Sequence, residues 1–112
     1  MATDPPAHLI VTTTLPDEAQ AQAVALAAVQ GHLAACAQVQ GPIQSIFHWQ
    51  GAIDHATEWY CHCKTTRAAY PALERLIKSL HPYEVPEIIA TPVVAGYEPY
   101  LRWIAQEVRS EK

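Results

Sequence analysis

Ile43-Gln-Ser-Ile-Phe-His-Trp-Gln50 and Glu58-Trp-Tyr-Cys-His-Cys-Lys-Thr65 lie either side of Gly51, in the middle of the chain. Both runs are rich in β-branched and aromatic residues, and Gly51 supplies a turn, so they read as a hairpin. The first strand also extends backwards. Leu33 to Gln40 continues it, with a bulge or bend expected at Gly41-Pro42. Alternation puts Trp59, Cys61 and Cys63 on one face of the returning strand, and Tyr60, His62 and Lys64 on the other.

Outward from this hairpin the pattern is nearly symmetric. On the N-terminal side, His8-Leu-Ile-Val-Thr-Thr-Thr14 reads as a buried strand. Asp17 is placed to cap a following Ala-rich helix, with Gln20 three residues on, and Gly31 is placed to stop it. On the C-terminal side, Thr66 is a candidate cap for a second helix. Tyr70, Leu73, Ile77 and Leu80 fall on one face of that helix. His81-Pro82 ends it, since the residue before proline is pushed out of the helical region. Glu87 to Val94 reads as a short strand, and Pro99 to Val108 as a last helix. The order predicts an α+β class: a ferredoxin-like βαββαβ sandwich with an extended β-hairpin and a C-terminal helix. Residues 1–7 are expected to be an extended or disordered tail and 8–112 a single domain. The two middle strands are longer than so small a sheet needs, and their surplus is expected to pair with other subunits.

Composition narrows the function classes. The chain has 112 residues, half of them apolar and 16% charged, enough for one core and too little charge for a disordered chain. Its longest apolar run, Ala23 to Val29, falls far short of the ~20 residues of a membrane span. Met1 to Ala7 has neither the basic nor the apolar region of a secretory signal, so a cytoplasmic location with no membrane partner is expected. The net charge is −4 and the basic residues are scattered, which argues against nucleic acid. Three cysteines, two of them only two residues apart, argue against a disulfide framework.

The local motifs favour binding over catalysis. There is no aromatic, basic, Gly-rich strand for RNA, no Cys-x-x-Cys in the first loop, and no phosphate-cradling loop with an arginine after the first strand. Ser45 and Ser79 lack an activating motif. The histidines, His8, His32, His48, His55, His62 and His81, show no zincin spacing, and His8, His32 and His55 read as ordinary surface residues. His81-Pro-Tyr-Glu-Val-Pro-Glu87 is more telling. Its two prolines stiffen a loop carrying an imidazole, a phenol and two carboxylates, which suits a Cu(II) or Zn(II) pocket or else a purely structural turn. Phe47 and Trp49 share a face and either cap the core or anchor a neighbouring subunit. Cys61 and Cys63 read as core packing, as does Cys36; a two-thiolate Cu(I) site at Cys61 and Cys63 is the alternative.

Together these segments are recognisable. Thr14-Leu-Pro-Asp-Glu18, His32-Leu-Ala-Ala-Cys36, Trp49-Gln-Gly51, Lys64-Thr-Thr66, His81-Pro-Tyr-Glu-Val-Pro-Glu87 and Tyr100-Leu-Arg-Trp-Ile104 occur in order. From about Leu9 to Val108 the sequence resembles the CutA family of divalent-cation-tolerance proteins. The resemblance implies a ferredoxin-like subunit in a compact homotrimer, similar to PII signalling proteins, with clefts between subunits. It implies metal ligation by His81 and Glu87, a ligand cleft that includes Lys64, Tyr83 and Glu84, and a subunit interface at Phe47 and Trp49. Some members carry a cysteine and a second histidine as proposed metal ligands where this chain has Thr13 and Leu80, so the softest donors of such a site are missing. The expectation is a non-enzymatic trimer with no obligatory cofactor, taking a divalent cation (Cu2+ or Zn2+) or a small ligand in its cleft. The alternative is a signalling or scaffolding trimer that acts through protein contacts.

Overall fold

The hairpin at the centre of the sequence is also the longest feature of the fold. In a computed structural model, which describes residues 6–109, β2 (Cys36–Trp49) and β3 (Ala52–Thr66) pair along nearly their whole length. They turn through Gln50 and Gly51, both with positive φ (49° and 80°), as a two-residue hairpin loop of matching twist requires. The register shifts between Gln40 and Ile43, at the expected bulge. Gly41 is needed there because a Cβ would lie 2.4 Å from the Trp59 ring.

The remaining elements are β1 (His8–Leu15), α1 (Glu18–Gln30), α2 (Tyr70–Leu80), β4 (Ile88–Pro92) and α3 (Glu98–Glu107). The sheet runs β2-β3-β1-β4, with every neighbouring pair antiparallel. This is the α+β, ferredoxin-like arrangement read from the order of elements. Val11 and Leu15 of β1 and Cys61 and Cys63 of β3 face Ala21, Val24 and Ala28 of α1 and Leu73 and Ile77 of α2, all buried. Small alanines let α1 lie close to the sheet, and the branched residues of α2 fill what remains.

Several element ends differ from the sequence reading, each for a local reason. Asp17 caps α1 as expected, accepting from the Gln20 backbone N–H at 2.8 Å. At the other end His32, not Gly31, takes the left-handed conformation (φ 57°). His32 N–H donates to Val29 O and Leu33 N–H to Ala28 O, a Schellman closure displaced by one residue. Thr66 ends β3 and accepts from Ala69 N–H, so it caps a turn that precedes α2. β3 starts at Ala52 rather than Glu58, since backbone pairing carries it through the polar Asp54 and His55.

The third helix rests on a second, smaller cluster of Ala35, Ala69, Ile104 and Val108. Two of the histidines read as surface residues hold it there. His8 Nε2 donates to Leu101 O and His32 Nδ1 to Glu107 O, each at 2.9 Å.

Candidate ligand cleft

β1 stops pairing with β3 at Leu15 opposite Trp59, so the next residue outward on β3, Glu58, sits where the hairpin arm leaves the sandwich. Its carboxylate is nonetheless buried. The loop after α2 passes over this junction. Its first residue, His81, is fixed at both ring nitrogens: Nε2–H donates to the Thr14 carbonyl at 2.7 Å, and Nδ1 accepts from Tyr83 N–H at 3.2 Å. These partners define the neutral Nε2–H tautomer. The Tyr83 ring packs against the imidazole at 4.8 Å, and its hydroxyl donates to Glu58 Oε2 at 2.7 Å.

The electrostatics follow from this geometry. Burial holds the His81 pKa below the ordinary histidine value, against the opposing pull of its bond to Thr14. Burial, then the bond to Glu58, raises the Tyr83 phenol. Glu87 still reaches solvent, yet partial desolvation, with the Glu58 carboxylate second, raises its pKa above the usual range. Glu58 is therefore the hub, felt by His81, Tyr83 and Glu87 alike. Nothing in the sequence singled it out, because a glutamate at an apparent strand start looks like a solvated edge residue.

The other expected site residues are more dispersed. Glu84 is exposed on the loop. Lys64 lies six residues from Glu58 along β3, about 20 Å away, and donates to Gln38 Oε1. Within one chain it does not meet the loop. Phe47 and Trp49 are exposed near the tip of the arm.

Among the described residues, the donors around this loop do not make a copper site within one chain. His81 offers no free lone pair while Tyr83 N–H holds Nδ1. Leu80 and Thr13 bring neither imidazole nor thiolate, and among the described residues no three His, Cys, Asp or Glu side chains are grouped for a metal. What remains is oxygen: two carboxylates and a phenol, the donor type of harder cations.

Residues 9–107 match the family of CutA1 divalent ion tolerance proteins. The chain belongs to the CutA1 family. It is 42% identical over 97 residues to mouse Protein CutA, covering 87% of this chain and 55% of the mouse protein, so it spans about half the length of that relative. Among solved structures, CutA1 from Shewanella sp. SIB1 superposes with a TM-score of 0.92 at 41% identity, covering 96% of this chain and all of that one. A CutA structure from Archaeoglobus fulgidus, described as a periplasmic divalent cation tolerance protein, gives 0.88 at 32% identity over 91% and 99%. The CutA1 fold is thus shared along nearly the whole chain, arm included. Among the described residues no helix is long and apolar enough to cross a membrane.

Proposed function

We propose that this CutA-family chain works as a non-enzymatic cytoplasmic homotrimer whose intersubunit clefts take a divalent cation or a small cationic ligand. The observation that carries the cleft is the buried Glu58 carboxylate, held by the Tyr83 hydroxyl beside the protonation-prone Glu87. Two carboxylates in a partly desolvated site favour a cation that neutralises both. His81 orients the loop from its neutral form, and Tyr83 links that loop to the arm. The incomplete donor set of one chain fits a cleft that a neighbouring subunit completes; the family's link to divalent ions supports the same class of ligand.

The trimer reading is supported by the arm. From Ile43 to Trp49 and from Ala52 to Glu58, β2 and β3 pair only with each other among the described residues. A lone two-stranded ribbon is marginal in water. This one carries exposed apolar side chains on both sides, Ile46 and Ile53 on one face and Phe47 and Trp49 on the other.

Calorimetric titration of metal-free protein with Mn(II), Zn(II) and Cu(II) tests the cleft. Saturable binding that is lost in a Glu58→Gln, Glu87→Gln double variant of unchanged mass supports it. No saturable heat with any of the three ions favours the scaffolding alternative, for which the strongly exposed Val85, Val94 and Tyr97 offer contact points.

A further inference from the structure

We propose that His48 and His55, neighbours near the tip of the arm, are a proton-operated release for the trimer: neutral, they lie under an adjoining subunit, and protonated, they drive it off. The inference rests on the trimeric reading above and adds its regulation. The register of the hairpin brings the two residues together. The two-residue loop at Gln50 and Gly51 makes Trp49–Ala52 the hydrogen-bonded closing pair, so His48–Ile53 and Ile46–His55 are successive non-hydrogen-bonded pairs. All four side chains therefore leave the same face. In such pairs the right-handed twist of the ribbon draws the first-strand residue nearer the turn toward the second-strand residue farther from it. Here those two are His48 and His55, about 7 Å apart between Cβ atoms.

The surroundings make this face sensitive to charge. From Ala19 to Ile53 the sequence has no Asp, Glu, Lys or Arg, and the arm's first formal charges are Asp54 and Glu58. Asp54 pairs with Phe47 and Glu58 with Ile43, so both carboxylates belong to the other face of the ribbon. The Asp54 carboxylate is engaged there by the His55 backbone N–H at 2.8 Å, and Glu58 by the Tyr83 hydroxyl at the root of the arm. The rest of the histidine face is Ile46, Ile53, and the Gln44 and Thr57 side chains, which bond each other at 2.9 Å. None of these can neutralise an imidazolium. In the single chain both histidines are exposed.

Histidine is the side chain whose charge changes between about pH 5 and 8. A neutral pair adds two rings to the apolar area of Ile46 and Ile53. Protonation instead sets like charges side by side on a face without a carboxylate, and a covering subunit removes the water that would solvate them. A covered imidazole thus binds fewer protons than one on a released arm. The assembly is stable at high pH and loses that stability as pH falls. The subunit itself has no stake in the switch, because residues 43–57 contribute to neither core cluster.

The test follows full-length protein by light scattering between about pH 8 and about pH 5, with far-UV circular dichroism alongside. The wild type is expected to be trimeric at the upper end and to lose mass toward the monomer at the lower. The sandwich signal should persist, and neutralisation should restore the mass. The dissociation constant should rise roughly a hundredfold or more across the range, with a slope corresponding to about two protons taken up per chain. His48→Gln with His55→Gln should hold the trimer down to the lower pH, and His48→Lys with His55→Lys should release it at the upper. The proposal is overturned, with the trimer left standing, by a wild type that stays trimeric at the lower pH or that loses mass only together with the sandwich signal. Proton uptake below about one per chain, or a glutamine variant that dissociates at the wild-type pH, would do the same. A wild type that is monomeric at the upper pH overturns both readings. The wild-type proton count decides the matter even where a variant fails to assemble.

Discussion

His81 has both ring nitrogens engaged, so a proton added at Nδ1 must break the bond from Tyr83 N–H and charge a ring that burial keeps neutral. Its folded pKa lies below the unfolded value of 6.5. A histidine depressed in this way binds fewer protons when folded. Its contribution to stability is full above pH 6.5 and is lost as pH falls from there toward the folded pKa. His62 has the same sign, with burial first and Lys64 second as causes. Stability should therefore drop on acidification below about pH 6.5, and His81→Gln should flatten part of that slope in urea melts taken at pH 5 to 8. A slope unchanged in this variant would remove His81 from the account. Tyr83→Phe tests the neighbouring link. It leaves the buried Glu58 carboxylate short of a donor, and a loss of about 1–3 kcal/mol is expected from denaturation midpoints.

At the scale of elements, the bulge in β2 is the most constrained point. Trp59 lies over Gly41, and its ring carbons nearest the backbone, not a flexible tip, occupy the space of a Cβ. Gly41→Ala should cost about 1–3 kcal/mol through forced displacement, and adding Trp59→Leu should recover part of it in equilibrium unfolding. Much of this architecture was legible beforehand because pattern and punctuation agree. Gly51 marks the turn, His81-Pro82 the end of α2, and Trp59-x-Cys-x-Cys the buried face. The arm's second apolar face was not legible. Alternation singled out Phe47 and Trp49, but Ile53 joins Ile46 on the opposite side only through a register that runs down to the turn. Glu58 and the left-handed His32 were missed for a related reason: their roles are set by partners 25 and 75 residues away, Tyr83 and Glu107. No local propensity records such contacts.

The whole molecule presents a sandwich with an arm reaching about 20 Å beyond it, seven residue pairs long at about 3.3 Å each. A ribbon with apolar side chains on both faces needs cover on both. In the proposed cyclic assembly each arm would lie on one neighbour and receive another, and closure would remove free strand edges. The expected state is a trimer, three times the 12.3 kDa chain by light scattering at micromolar concentration. Its melting temperature should rise with protein concentration, because unfolding and dissociation are coupled. Placing a charge on each arm face separates the contributions. Ile46→Asp with Ile53→Asp, and independently Phe47→Asp with Trp49→Asp, should each shift the scattering mass toward the monomer while far-UV circular dichroism keeps the sandwich signal. Those residues touch none of the core cluster, so the subunit has no reason to unfold first. A double variant that stays trimeric would mean that its face is bare in the assembly, and that the arm is covered from one side only.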